Sequence, residues 1–283
     1  MTKIKRRELE IFAAQIRLET FREISDLGFG HIGGAMSIVD LLAVLYGQVM
    51  CFDPDNPDWE SRDWLILSKG HSSPSLYAAL ALKGFFPLEQ LSTLNRPGTS
   101  LPSHCSRIHT AGIDMTTGSL GQGISTANGV ALASRIMGGC NHVFLILGDG
   151  ELNEGQVWEG VLFAAHQKLS NLTMFIDANG KQLDGPTNEI CALGDISKKF
   201  REFNWHVQEV DGHDVLALST ATYQAMDEQE KPSAIIMHTV KGKGCALAES
   251  LAYNHHLEFH DSNAIRKELS RLENVITHLS HNS

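Results

Sequence analysis

Asp149 stands between Gly148 and Gly150, directly after the apolar run Leu145-Ile146-Leu147. Thirty positions on, Asn179 falls in Asp177-Ala178-Asn179-Gly180, again directly after an apolar run, Leu172 to Ile176. Each run has the length and composition of a buried strand, so each polar group falls at a strand's carboxyl end. The separation accommodates one helix and a return strand, an arrangement that sets the two ends side by side. A carboxylate, an amide oxygen and a turn carbonyl form an incomplete oxygen set for Mg²⁺ or Ca²⁺. Mg²⁺ leaves its other octahedral positions to water and phosphate oxygens, so the gap suits a diphosphate. The glycines let backbone N–H groups approach it, and the N-terminus of a following helix adds favourable partial charge. Taken singly, GDG and NG are also common turn sequences, and ordinary turns are the alternative at either position.

The elements that would position these groups can be read from hydrophobic periodicity. Residues 3–27 are spaced as a helix that stops at Gly28, and 37–50 as a second, with Ser37 its candidate N-cap. Apolar strands are predicted at 64–68, 142–147, 172–177, 205–210 and 233–240, and helices at 73–84, 121–138, 154–169 and 216–226. Strands that are apolar throughout and alternate with helices indicate a parallel sheet covered on both faces. The fold class expected is α/β, a three-layer sandwich with a mostly parallel sheet flanked by helices, in one domain over residues 1–283. Between 86 and 117 the chain is rich in Pro, Gly, Ser and Thr, and irregular chain of that length is more often functional than idle. No repeat or low-complexity tract is visible.

Bulk properties narrow the partners. With 42% hydrophobic and 20% charged residues the chain is globular, and a formal charge of −10 argues against nucleic acid or an anionic membrane as a general partner. A small anion held by a cation and local donors remains compatible with it. Five cysteines, at 51, 105, 140, 191 and 245, are scattered and never spaced as CxxC. That favours a reducing, cytoplasmic setting over a disulfide framework or a zinc site. No apolar run is long enough to span a membrane, and the N-terminus reads as a helix rather than a targeting segment.

GHIGGAMS (30–37), LSKGHSSPSLYAAL (67–80), TGSLGQG (117–123), GDGELNEGQVWE (148–159), DANGKQLDG (177–185), VDGHD (210–214) and TVKGKG (239–244) occur in this order. Together they resemble the N-terminal, diphosphate-binding (PP) half of transketolase, a thiamine diphosphate enzyme, over about residues 10–270. The resemblance implies a thiamine diphosphate-binding fold, in which Asp149, Asn179 and the main-chain oxygen of Lys181 hold the metal. Gly150 would offer its N–H to the diphosphate, and Gly118, Ser119 and Leu120 would lie along the cofactor's middle and aminopyrimidine. Ser119 stands where family members often have Pro.

Fourteen histidines are present, and a lone one carries little information. His31 in GHIGG, His71 in KGH and His104 in LPSH match family histidines that face the cofactor and the sugar hydroxyls. Such imidazoles donate to alkoxide or carbonyl oxygens and shuttle protons near neutral pH. A fourth family histidine maps to His255, with His256 adjacent and the register between them open. Glu154 matches a carboxylate at the family's subunit interface, thought to link two active sites; as a helix-start Glu it would also be favoured by the dipole.

The implied reaction moves a two-carbon ketol unit from a ketose to an aldose. In the family, the Glu that activates the aminopyrimidine and most sugar-phosphate contacts lie beyond the matched region. The expectation is therefore an N-terminal subunit needing a pyrimidine-binding C-terminal partner of roughly 300 residues, in an α₂β₂ assembly. Segments 86–117 and 245–260 are the candidate partner surfaces. Donor and acceptor, phosphorylated or not, stay open. Alternatives are another thiamine-dependent transferase, such as a deoxyxylulose-phosphate synthase or an α-keto acid dehydrogenase subunit, and a non-catalytic binding module. A dinucleotide-binding enzyme is set aside, because GxGxxG does not follow the first strand.

Overall fold

The structure, a computed structural model, describes residues 3–183 and 185–281; Asp184, inside the DANGKQLDG motif, lies outside them. Helix α1 (Lys3–Leu27) leads through a short strand β1 (Phe29–Gly30) into α2 (Ile32–Ser37) and α3 (Val39–Val44), the last extended by a wider turn over Leu45–Val49. There follow β2 (Trp64–Leu67), α4 (Ser73–Leu82), α5 (Gly123–Ile136), β3 (Val143–Gly148), α6 (Gly155–His166) and β4 (Leu172–Ala178). A small pair, β5 (Lys181–Gln182) and β6 (Gly185–Pro186), precedes α7 (Thr187–Ile190) and α8 (Ile196–Glu202). The chain then forms β7 (His206–Asp211), α9 (Val215–Asp227), β8 (Ser233–His238), α10 (Ala246–Glu249), β9 (Leu257–Glu258) and α11 (Ser262–His281).

The main sheet runs β2-β3-β4-β8-β7, parallel at every pairing. Successive side chains of a strand point to opposite faces, and here both faces are covered. Phe144, Ile146, Phe175, Ile235 and Met237 pack with the α1, α3, α4 and α9 side. Leu145, Leu147, Met174, Ile176 and Ile236 pack with α5, α6 and α8. This two-sided burial is why β2, β3 and the middles of β4 and β8 are apolar, whereas the edge strand β7 is only partly buried and carries His206, Gln208, Glu209 and Asp211. Each fully buried Leu, Ile or Phe stabilises the fold by about 1.5–3 kcal/mol. The α/β sandwich expected from the sequence is the observed architecture.

Several local expectations change. The helix expected over 37–50 breaks at Ile38, and Ser37 ends α2 instead of capping a helix. Its buried hydroxyl donates to Asp177 Oδ2 (2.6 Å), with the Gly34 carbonyl also within 3.0 Å, so a tertiary partner takes the group a cap would have used. Segments 86–117 and 245–260 do not expose their apolar residues as a face. Leu91, Leu94, Leu101, Cys105, Ile113, Cys245, Ala248 and Phe259 are buried, leaving Leu88, Ile108, Leu251 and Tyr253 outside. Ile136 on α5, Met137 just beyond it, and Leu162 and Phe163 on α6 are also exposed. Helix α11, which no motif or predicted element anticipates, packs along α1. Among the described residues no helix is long and apolar enough to cross a membrane.

His142, at the foot of β3, shows how the core depends on pH. Its ring is buried beside Phe144 and 2.8 Å from the Thr173 hydroxyl. Burial pulls it down to about 4. The unfolded chain, with a histidine near 6.5, therefore takes the proton first, and stability is lost as pH falls from about 6.5 towards 4. Between pH 7 and 5 the wild type should lose more stability than His142→Gln, by on the order of 1–3 kcal/mol. Urea midpoints at the two pH values check this; equal losses would refute it.

Candidate active site

Parallel pairing continues to the strand ends, where Gly148 lies opposite Asp177 and the Asp149 N–H donates to the Asp177 carbonyl (3.2 Å). Asp149 and Asn179 therefore sit at neighbouring carboxyl ends, where open α/β sheets place their ligands. Gly180 closes the geometry. Its φ of +72° is one that L side chains rarely adopt, and the resulting turn aims its N–H at Asp149 Oδ2 (2.7 Å). Asp149 Oδ1 accepts the Gly150 N–H at 2.8 Å. Asn179 Nδ2 donates to Asp177 Oδ2 at 2.9 Å, which fixes the amide so that Oδ1 takes the Lys181 N–H at 3.0 Å. Asp149, Gly150, Asn179 and Lys181 line one cavity of about 260 Å³ with His71, Leu120 and His255.

Residues that the motifs did not single out complete this cavity. Lys69, two residues past β2, is buried with its ammonium 2.6 Å from Asp177 Oδ2 and 2.9 Å from the Gly34 carbonyl. Lys241, just past β8, reaches the Lys181 carbonyl at 3.3 Å. Glu151 is buried and accepts the N–H groups of Gly121 (2.8 Å) and Gly148 (3.2 Å) and the Ser68 hydroxyl. It thereby ties the 117–123 loop to the ends of β2 and β3. A common signal marks the two lysines: each is a polar residue following an apolar strand, as Asp149 is. Glu151 has no such signal, because two of its three partners, Ser68 and Gly121, lie far off in sequence.

The charges are unbalanced in an informative way. Burial, reinforced by the Asp177 charge, pushes Asp149 up to about 6 against the pull of its N–H bonds and Lys69. Burial would also raise Asp177, but Lys69 outweighs it, with help from Ser37 and Thr239, and holds that carboxyl below its usual range. Lys241 is pulled down to about 8, first by burial and then by Lys69. Among the described residues no three His, Cys, Asp or Glu side chains converge on a metal position. A divalent ion at this cavity would rely on Asp149 and neutral oxygens.

The histidines are gathered by backbone contacts. Gly33 packs so closely on residue 254 that a Cβ would lie 2.1 Å from the Asn254 carbonyl oxygen. β1 pairs with β9, Gly30 opposite Leu257, which carries 254–256 over His31. The His31 ring is 5.5 Å from His71, 5.8 Å from His104 and 5.1 Å from His255, and His71 is 4.9 Å from His255. Burial first, then neighbouring positive groups, lowers His31 to about 4 and His255 to about 3. His71 is lowered for the same reasons and His104 by burial. All four are neutral near pH 7, so each ring has one donating and one accepting nitrogen. Nδ1 of His255 is buried without a hydrogen-bond partner.

Not every expected residue shares the cavity. Gly118, Ser119 and His104 line an adjoining, more open hollow of about 550 Å³. Glu154 lines neither and is exposed at the start of α6, with no side-chain cap bond. Of the two adjacent histidines, His255 lines the cavity and His256 stands outside it.

A parallel α/β sheet with an acidic group and an amide at adjacent strand ends, under a cover of histidines, fits a thiamine diphosphate-binding domain. Residues 10–271 match the family described as "Transketolase, thiamine diphosphate binding domain", and the chain belongs to that family. A 6-deoxy-6-sulfo-D-fructose transketolase subunit from Clostridium sp. (strain MSTE9) is 51% identical over 251 residues, 89% of this chain and 91% of that protein. An apulose-4-phosphate transketolase subunit from Phocaeicola vulgatus is 36% identical over 228 residues, 80% of each. Transketolase from Pichia stipitis, solved with sedoheptulose-7-phosphate, is similar with a TM-score of 0.86 at 27% identity, over 97% of this chain and 44% of that one. The Campylobacter jejuni enzyme gives 0.83 at 25% identity, over 99% and 48%. The chain spans less than half the length of these solved transketolases.

Proposed function

We propose that this chain binds the diphosphate of thiamine diphosphate through Mg²⁺ or Ca²⁺ and, with a pyrimidine-binding partner subunit, transfers two-carbon ketol units between sugars. The carrying observation is that Asp149, Asn179 and Lys181 line one cavity at adjacent strand ends, with the Asp149 carboxylate buried and short of positive charge. Asp149, Asn179 Oδ1 and the Lys181 carbonyl would hold the cation. The Gly150 N–H and the ammonium groups of Lys69 and Lys241 would face the phosphates. The unpartnered His255 Nδ1 is a further group that fits an incoming polar ligand.

Thiamine diphosphate, when bound, supplies the electron sink that allows a ketose carbon–carbon bond to break. The chain's own task is to orient the sugar and handle its protons. His31, His104 and His255, neutral and clustered, would donate to sugar hydroxyl and carbonyl oxygens and accept the proton released there. His71, on the cavity wall, would lie against the cofactor. Gly118, Ser119 and Leu120 would follow the cofactor's length, which fits their position between the cavity and the open hollow beside it.

Partner dependence is supported by relatives whose names call them subunits and by the apolar side chains left exposed on α5 and α6. Glu154, exposed at the start of α6, suits a role linking active sites in an α₂β₂ assembly. The same relatives make sulfonated or phosphorylated sugars the first substrates to try, and five free cysteines fit a cytoplasmic setting.

Reconstitution tests the proposal. The chain should bind Mg²⁺ and thiamine diphosphate weakly alone and at least about tenfold more tightly with its partner, because the cleft is then closed from water. Ketol transfer should appear only with both chains. Full turnover by the isolated chain, or cofactor binding indifferent to the cation, would overturn it.

A further inference from the structure

We propose that His256 and Phe29 form a specificity-determining pair that contacts the part of the sugar farthest from the cofactor cavity. This rests on the function proposed above and adds to it a site for the distal sugar carbons. The histidine rings form an outward series. His71 and His255 line the cavity that holds Asp149; His31 touches both; His256 stands on the outer side of His31, ring centres 4.9 Å apart and nearly perpendicular at 85°. Beyond His256 lies Phe29, 5.7 Å away.

Their position is built into the backbone. Gly30 pairs with Leu257 and Phe29 with Glu258, so His256 adjoins the ladder that also fixes His31. The close fit of Gly33 on Asn254 anchors the other end of the segment. Both side chains are nevertheless exposed, Phe29 to 41%. The His256 ring nitrogens make no hydrogen bond to any described residue. An exposed aromatic ring beside a free imidazole, both held on rigid backbone, has the two features a polyol needs. The ring takes its C–H face, and the imidazole N–H donates to a hydroxyl. A short aldose held at the inner histidines would not reach this pair; a five-carbon one would.

The test uses the two-chain enzyme with one ketose donor and aldose acceptors of two, three and five carbons. His256→Ala should raise KM for the five-carbon acceptor about five- to tenfold, the loss of one hydrogen bond. The kcat and the KM for the two-carbon acceptor should stay unchanged. Phe29→Ala should show the same chain-length dependence. A KM change equal for all acceptors, or a fall in kcat alone, would mean that His256 merely supports the His31 ring, and would overturn the inference. Thiamine diphosphate is titrated into every sample. A wild-type pair that binds none overturns the underlying function and this inference with it. A pair that binds and turns over but shows no chain-length dependence overturns the inference alone.

Discussion

Replacing Asp149 by Asn will weaken cation-dependent binding of thiamine diphosphate by more than about 100-fold while leaving the fold in place. Asp149 would be the sole carboxylate ligand in a set otherwise built from an amide and a carbonyl, and removing even an outer-shell partner of a metal ligand costs 10–100-fold. The side chain accepts two N–H bonds, from Gly150 and Gly180. Asn retains an oxygen for one of them, so the turn keeps part of its support. Thermal melts provide the readout. Wild type at ligand concentrations 100 times Kd should gain about 2.7 kcal/mol, an upward shift of several degrees. The variant should melt near the cofactor-free wild type and show no shift on adding Mg²⁺ and cofactor. A variant that retains the full shift would remove the cation from Asp149 and leave the proposed site without its charge.

The parts of this site that are legible in the sequence are those where local composition and tertiary role coincide. Asp149 and Asn179 are readable because each interrupts an apolar run at a strand end, and parallel pairing of β3 with β4 then brings those ends together. Lys69 and Lys241 carry the same mark, but a lysine after a strand is most often a solvated surface residue, and nothing local distinguishes these. Ser37 misleads for a related reason. A serine before an apolar run is a good N-cap, yet its hydroxyl is taken by Asp177, 140 residues away. His255 and His256 have the same local surroundings, and only the β1–β9 ladder turns one to the cavity and the other outward. Helix α11 shows the converse. Its Ile265, Leu269, Leu272 and Ile276 stripe packs with the core, and that spacing is present in the sequence among His, Ser and Asn residues that obscure it.

The Lys69–Asp177 pair should dominate the stability of the site. Their side chains are 3% and 0% exposed and 2.6 Å apart. Asp177 also accepts from Ser37, Asn179 and Thr239. Lys69→Met removes the ammonium bonded to a carboxylate that water cannot reach, and breaking such a pair costs about 3–5 kcal/mol. The neutral donors remain, which places the expected loss towards the lower end. Asp177→Asn in the same chain removes the stranded charge and should restore more than half of the loss, so a double-mutant cycle should show strong coupling. Restoring stability should not restore function. Asn179 is turned towards the cavity by its bond to the Asp177 carboxylate, and an amide at 177 cannot hold it as firmly. The double variant also lacks the Lys69 ammonium set towards the phosphates. Its cofactor binding should therefore stay at least about 10–100-fold weaker than wild type, the usual range for losing a partner behind a metal ligand. Chemical denaturation measures the first effect and calorimetric titration the second. Additive stability losses would show that the pair does not carry the fold here, and wild-type cofactor affinity in the double variant would show that it does not orient Asn179.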